Sequence, residues 1–158
     1  RNTPVEIFET RYPLRTVEYS LIPDSGGAGA RRGGLGTRRI MRVTEGAEIT
    51  ANAVLDRTKP GFGAWGLDGG GLGGPGAIRV KRRGDSEFRT FSEVFGTASP
   101  SKFTNVTLEP GDEVLIDSPG GGGYGDPRNR DRALVEQDVR QGFVSPARAG
   151  ELYGWDGP

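Results

Sequence analysis

The sequence predicts a mainly β fold, a glycine-rich antiparallel sheet or sandwich that ends in two short helices. The 158 residues include 28 glycines and 11 prolines, and glycine alone is more than twice its usual share of about 7%, which favours tight turns over long helices. Apolar and polar residues alternate along several short segments, as in half-buried strands. We therefore predict one domain, residues 1–158, that is β-rich over 1–127 and has a helical tail over 128–158.

Seven segments alternate in this way and are bounded by Gly, Pro, Asp or Ser. They are predicted as strands at 10–21, 37–43, 48–55, 77–81, 87–91, 104–108 and 113–117. Two glycine-rich stretches, 26–36 and 59–76, are predicted as long connections. No glycine recurs every third residue along the whole chain, which excludes collagen.

Helical signals occur only near the carboxyl terminus. A helix is predicted from Arg132 to Arg140, with Asp131 as its N-cap and Gly142 beyond its end. A second helix begins at Ser145, which is followed by a proline at the first helical position, and runs towards Tyr153.

Composition excludes several classes of function. Cysteine and histidine are absent, so the chain has no thiolate nucleophile, no imidazole base and no ordinary zinc ligand. Lys+Arg and Asp+Glu both number 21, and a net charge of zero predicts no nucleic-acid partner. With no signal peptide and no apolar run near 18 residues, we predict no membrane contact and a cytoplasmic location.

The most informative stretch follows the apolar run Val114-Leu115-Ile116. It reads Asp117-Ser118-Pro119-Gly120-Gly121-Gly122-Gly123-Tyr124-Gly125-Asp126-Pro127. A strand that continues into four glycines predicts that another backbone, subunit or ligand comes very close, notably at Gly121 and Gly122. Gly71 to Gly76 fits G-x-G-x-x-G, but a strand-like segment follows it where a dinucleotide site needs a helix.

Polar clusters offer candidate contacts, each with two interpretations. Asp24 and Ser25 can meet Arg31 and Arg32 across one loop, either as a clamp for a carboxylate or phosphate or as a salt-bridged turn, and the turn is favoured. Asp56 and Arg57 have the same two interpretations. Oxygen atoms for a hard cation are available on Asp112, Asp117 and Asp126, although turn and cap roles are favoured for them.

Two aromatic residues, Trp65 and Tyr124, lie in glycine-rich loops. Each is predicted either to anchor a partner or to cover the protein's own core. No nucleophile and base pair is evident in the sequence, so no catalytic residue is predicted.

Seven motifs in this order resemble the carboxy-terminal part of hydantoinase B, a family that includes the B half of 5-oxoprolinase and subunits of acetone and acetophenone carboxylases. They are Asn2-Thr3-Pro4-Val5-Glu6, Tyr12-Pro13-Leu14, Pro23 to Gly29, Arg32-Gly33-Gly34-Leu35-Gly36, Trp65-Gly66-Leu67 with Gly69-Gly70, Leu108 to Asp112, and Ser118 to Pro127. The resemblance covers nearly the whole chain but only the last third or so of such subunits. Together with Arg1 in place of an initiator Met, it predicts that the chain is a fragment.

The resemblance implies an ATP-dependent machine in which an A-type subunit activates a cyclic amide or ketone and a B-type subunit helps complete the reaction. It implies as partners the rest of a hydantoinase B-like subunit and a hydantoinase A-like ATP-binding subunit. ATP and a divalent metal are then bound elsewhere in the complex, with no cofactor on this segment, and the isolated segment is inactive. The expected function is cyclic-amide hydrolysis, to which this segment contributes subunit contacts and part of the substrate channel. The alternatives are a ketone carboxylase or a purely structural module.

Overall fold

The computed structural model describes residues 3–157, which form a mainly β fold with antiparallel sheets. The strands are β1 (Leu14–Leu21), β2 (Thr37–Val43), β3 (Ile49–Val54), β4 (Ala77–Lys81), β5 (Lys102–Leu108) and β6 (Glu113–Asp117). The helices are α1 (Val5–Arg11), α2 (Phe91–Phe95), α3 (Arg132–Arg140) and α4 (Pro146–Arg148), which continues as a π-helical turn (Ala149–Tyr153); a 3-10 turn spans Pro127–Asn129. Four strands form one sheet in the order β1-β2-β6-β4, and β3 pairs with β5 in a separate antiparallel ribbon.

The alternation predicted most of these elements. The predicted bounds of β2, β4, β6 and α3 are confirmed, and β3 and β5 differ from prediction by one or two residues at their ends. The side chain of Asp131 caps α3 by accepting a hydrogen bond from Ala133 N, as predicted. Ser145 likewise caps α4, since its side chain accepts from Arg148 N.

The prediction that only the carboxyl terminus is helical is wrong at two places. Thr10 belongs to α1 rather than to β1, because the chain enters a helical turn directly after Pro4. The segment 87–91 is not a regular strand; Arg89 makes a single bridge to Val80, and α2 then begins at Phe91. Thr90 and Glu93 form a reciprocal capping box that stabilises this short helix.

The chain divides into two compact units that alternate along the sequence. The first unit comprises residues up to Ser20, Arg38–Asp56 and Ala77–Ile116. It contains the larger apolar core, in which Val80, Phe91 and Leu108 are fully buried and the rings of Phe91 and Phe103 stack at 3.9 Å. Burial of such side chains at about 25 cal/mol per Å² is the main stabilising contribution to this unit.

The second unit comprises Leu21–Thr37, Arg57–Gly76 and the residues from Asp117 onward. Three of its segments, 25–36, 61–76 and 118–125, are joined by backbone hydrogen bonds without forming a regular β ladder, and we call them the glycine bundle. At many glycines in this bundle, an added Cβ would lie closer than 3.0 Å to a backbone atom of a neighbouring segment. Such glycines recur three residues apart in five sets, 26 and 29, 33 and 36, 63 and 66, 70, 73 and 76, and 120 and 123.

This three-residue spacing is the period of a polyproline II helix, in which every third residue faces the same side. None of these glycines has a positive φ, so space rather than backbone conformation requires glycine there. The spacing was missed in the sequence because it holds within each segment and not along the whole chain.

Candidate functional site

The four consecutive glycines of 120–123 connect the other two segments of the glycine bundle. Gly121 N donates to Gly34 O at 2.9 Å, and Gly121 O accepts from Gly27 N at 2.8 Å. On the next segment, Gly123 N donates to Gly71 O at 3.0 Å. The predicted close backbone approach is therefore made by this chain's own backbone, and a role of these glycines in binding another subunit stays a prediction.

Gly121 and Gly122 differ in how closely they are surrounded. A Cβ on Gly122 would overlap the backbone carbonyl of Trp65, whereas a Cβ on Gly121 would lie 3.1 Å from Gly34 N, its nearest neighbour. Real Cβ atoms essentially never approach other atoms as closely as a Cβ at position 122 would approach the Trp65 carbonyl oxygen. Of these two positions, only Gly122 is thus held to glycine by hard steric exclusion.

Arg32 forms an ion pair, but its partner is not Asp24. Its Nε and Nη2 donate to the two carboxylate oxygens of Asp138 at 3.0 and 3.2 Å, and its guanidinium lies 5.6 Å from the ring centre of Phe143. The Asp24 carboxylate instead accepts from Ser145 N at 2.8 Å, at the start of α4. The prediction that Asp24 pairs with Arg32 across the loop is therefore wrong. The ion pair of Arg32 with Asp138 agrees with the interpretation of Arg32 as a structural residue.

Asp138 and Arg130 complete this cluster, and neither was singled out in the sequence. Arg130 Nη2 donates to Asp138 at 2.8 Å, so one buried carboxylate is shared by two largely buried guanidinium groups. Arg32 and Asp138 are 106 residues apart, and no local pattern links them. Beside the cluster, burial raises the pKa of Tyr153, and the nearby positive charges of Arg130 and Arg32 oppose that shift.

Ser25 and Asp126 have structural roles. The buried Ser25 hydroxyl donates to Ile22 O at 2.6 Å and accepts from Gly36 N at 2.8 Å. Asp126 caps the 3-10 turn by accepting from Arg128 N at 2.8 Å. The sequence favours cap and turn roles over cation binding for Asp126, and its position at the start of the 3-10 turn agrees with that preference.

Asp56 and Arg57 are neighbours in sequence but belong to different units. The exposed Asp56 pairs with the exposed Lys102 at 2.7 Å in the first unit. Arg57 has a φ of 58°, and its carbonyl accepts from Gly76 N at 2.9 Å in the second unit. The structure therefore does not support treating them as one clamp.

Trp65 and Tyr124 are exposed in the structure. The side chain of Trp65 is 74% exposed and that of Tyr124 is 50% exposed. Leu67, 60% exposed, makes a backbone bridge to Tyr124 within the glycine bundle. Of the two predicted roles, the geometry favours an anchor for a partner.

The first unit carries a network of ion pairs. The Glu113 carboxylate, which is almost completely buried, accepts from Arg42 Nε at 2.9 Å and pairs with Lys81 at 2.7 Å. Burial alone would raise the pKa of Glu113, but hydrogen bonds from Lys81 and Arg42 outweigh it and hold that pKa below its ordinary value. Asp112, also buried, accepts from Glu109 N and Arg83 N and thereby fixes the turn before β6.

No catalytic set is evident in the described part of the chain. Over residues 3–157, no group of three or more Asp or Glu side chains is placed to hold a metal ion, and no helix is long and apolar enough to cross a membrane. Three depressions of about 300 to 510 Å³ lie on the first unit, and none of these three is lined by a residue predicted as a contact. Six of the candidate contact residues lie in the glycine bundle, namely Ser25, Arg32, Trp65, Gly121, Gly122 and Tyr124, whereas Asp24, Asp56, Arg57 and Asp126 lie outside its three segments.

Comparison with known proteins gives consistent matches. The model of the family described as Hydantoinase B/oxoprolinase matches residues 1–127. The beta subunit of caprolactamase from Pseudomonas jessenii is 37% identical over 150 residues, which are 95% of this chain and 24% of that protein. The B component of a putative D-/L-hydantoinase from a Pseudomonas species is 30% identical over 154 residues, 98% of this chain and 24% of that protein.

Two solved structures share the fold. The crystal structure of ATP-dependent caprolactamase from P. jessenii superposes with a TM-score of 0.73 at 34% identity, covering 97% of this chain and 25% of that one. A nucleotide-free structure of acetone carboxylase superposes with a TM-score of 0.70 at 25% identity, covering 96% of this chain and 23% of that one. The chain spans about a quarter of the length of the caprolactamase and hydantoinase subunits that it matches.

Proposed function

Because the chain belongs to the hydantoinase B/oxoprolinase family, we propose that it forms part of the B-type subunit of an ATP-dependent hydrolase of cyclic amides. The observation that carries this proposal is the family match over residues 1–127, four fifths of the chain. Caprolactamase and hydantoinase subunits match nearly the full chain at 30% identity or more. Their names describe enzymes that act on cyclic amides, and this activity is proposed for the complex that contains the chain.

The role proposed for this segment is to support and position other parts of the complex. Each acidic residue that we considered as a ligand clamp is engaged in a structural bond or ion pair, as Asp24 is with Ser145 N and Asp56 is with Lys102. The glycine bundle supplies closely packed backbone and leaves little room for a substrate between its segments. ATP and a divalent metal are proposed to bind elsewhere in the complex, with an A-type ATP-binding subunit and the rest of the B-type subunit as partners.

A second candidate is a ketone carboxylase. It is favoured by the superposition on acetone carboxylase and by 28% identity to the delta subunit of acetophenone carboxylase from Aromatoleum aromaticum. The higher identity to caprolactamase, 34% in the structural comparison, makes the hydrolase the better supported proposal.

Activity of the assembled complex tests the proposal. The purified complex is supplied with ATP and one of several substrates, namely caprolactam, hydantoin, 5-oxoproline, or acetone with bicarbonate. We expect ATP hydrolysis coupled to ring opening of at least one cyclic amide. Coupling to acetone carboxylation alone would select the carboxylase, and the absence of coupling to all four would contradict both proposed activities.

A further inference from the structure

Three exposed apolar side chains emerge from adjoining segments of the glycine bundle. Trp65, Leu67 and Tyr124 are 74%, 60% and 50% exposed. Leu67 N donates to Gly123 O at 2.9 Å, and Gly125 N donates to Leu67 O at 3.0 Å. Gly122 lies directly against the Trp65 carbonyl. We call Trp65, Leu67 and Tyr124 the apolar cluster.

The bundle cannot bury these side chains within itself. The glycines at 63, 66, 70, 73, 120 and 123 lie so close to neighbouring backbone that not even a methyl group fits at those positions. An indole ring is far larger than a methyl group, so rearrangement of Trp65 alone cannot place it inside. Burial of the apolar cluster therefore requires atoms from outside these segments.

The surroundings of the apolar cluster define the chemistry of its partner. Asp68 is the one charged residue between Pro60 and Gly76, and no charged residue lies between Ser118 and Gly125. On the third segment, the exposed Arg31 makes a backbone bridge to Tyr124, so one positive and one negative charge lie beside the cluster. A surface of aromatic rings with single charges of opposite sign beside it fits an apolar protein surface with a polar rim, and not a polyanion or a highly charged peptide. Trp and Tyr are also among the residues most enriched at energetically important contacts.

We propose that the apolar cluster docks against the remaining part of the B-type subunit, at an apolar patch of that part. The inference rests on the proposed function, since it takes the chain to be a portion of such a subunit. The length of the relatives argues for this occupant: B-type subunits are about four times as long as the stretch matched here, so most of such a subunit is available to cover the cluster. An A-type subunit and a second copy of this chain are the alternatives that the test separates.

Site-specific photo-crosslinking in the assembled complex tests the proposal. The photoreactive residue p-benzoylphenylalanine replaces Trp65, and in a matched control it replaces Val54, which is 79% exposed on the first unit. We expect position 65 to crosslink to a peptide of the same subunit that lies outside these 158 residues, and position 54 to give a different pattern or none. Crosslinks from position 65 to an A-type subunit or to a second copy, or no crosslink, would overturn the proposal.

Unfolding measurements provide an independent check. Trp65→Ala is expected to leave the unfolding midpoint of the isolated 158-residue chain unchanged, because the ring is exposed there, and to lower that of the assembled complex. The complex that carries Trp65→Phe should unfold at nearly the wild-type midpoint. Equal midpoints for the wild-type and Trp65→Ala complexes would contradict docking, whereas the cyclic-amide assay separately decides whether the proposed function holds.

Discussion

Gly122→Ala is expected to destabilise the chain strongly, and Gly121→Ala is its matched control. The methyl group added at position 122 would overlap the Trp65 carbonyl and crowd the Ala64 carbonyl, so the two segments must move apart. Overpacking of this kind costs about 1–3 kcal/mol. Separation also weakens the adjacent bonds from Leu67 N to Gly123 O and from Gly125 N to Leu67 O, at about 1 kcal/mol each. These contributions amount to about 3–5 kcal/mol, and the reduced flexibility of the unfolded chain, about 0.4–1 kcal/mol, leaves a net loss of about 2–4.5 kcal/mol.

At Gly121 the nearest atom to an added methyl group is Gly34 N at 3.1 Å, which a small shift accommodates. The reduced flexibility of the unfolded chain offsets that strain by about 0.4–1 kcal/mol, so the net change should stay within about 1 kcal/mol. Urea and thermal unfolding of the two variants measure the difference. For a chain of this size, the melting temperature of Gly122→Ala should fall by roughly 5–15 °C. Equal changes in both variants would refute the inference that backbone contact within this chain requires glycine at position 122.

Further predictions concern the charged groups and the activity of the chain. Asp138→Asn should lower the free energy of unfolding by about 3 kcal/mol, because Arg32 and Arg130 lose their shared carboxylate. Asp24→Ala should lower it by only about 1 kcal/mol. Similar losses in thermal unfolding of the two variants would contradict the inference that Asp138, and not Asp24, is the partner of Arg32. Because the folded pKa of Glu113 is lowered, its contribution to stability is present above its unfolded pKa and is lost as pH falls through the lower folded value. Glu113→Gln should therefore be less stable than the wild type near pH 7 and should lose less stability than the wild type on acidification below about pH 4.5. If the free energy of unfolding of the variant and of the wild type varies with pH in parallel, the ion pair is not the cause. The purified 158-residue chain should show neither ATPase nor hydantoinase activity; sustained turnover that persists through repeated purification would contradict a supporting role.

Local sequence patterns predicted most strands and the carboxyl-terminal helices well, but they did not predict α1 and α2. β2, β4 and β6 alternate clearly, and the caps Asp131 and Ser145 mark their helices. The segment 87–91 also alternates, but the capping box of Thr90 with Glu93 was the competing signal, and helix formation prevailed there. A capping-box search would have found α2.

The candidate site was harder to predict because its contacts are long-range. The need for close backbone approach at Gly122 could be inferred from the sequence, but its partner, the Trp65 carbonyl, could not. Arg32 was expected to find the nearest acid in sequence, Asp24, yet the fold brings Asp138 to it. A long arginine side chain in a loop can reach several acidic residues, and only the packed structure determines which of them forms the ion pair. The cytoplasmic location stays a prediction from the sequence.

The arrangement of the glycine bundle has a consequence for the order in which the chain folds during synthesis. The segments 25–36 and 61–76 leave the ribosome long before 118–125, yet Gly34 and Gly71 have hydrogen-bond partners in that last segment. A nascent chain that ends before residue 118 therefore lacks the partners of Gly34 O and Gly71 O, and its two glycine-rich stretches keep only part of their hydrogen bonds, such as that from Gly71 N to Ala28 O. The first unit can assemble earlier, since its core is formed by residues up to Ile116. Long-range pairing of this kind is slow, so the final stage of folding should be limited by capture of residues 118–125, and an internal stop codon before Ser118 should yield a folded first unit with a protease-sensitive remainder.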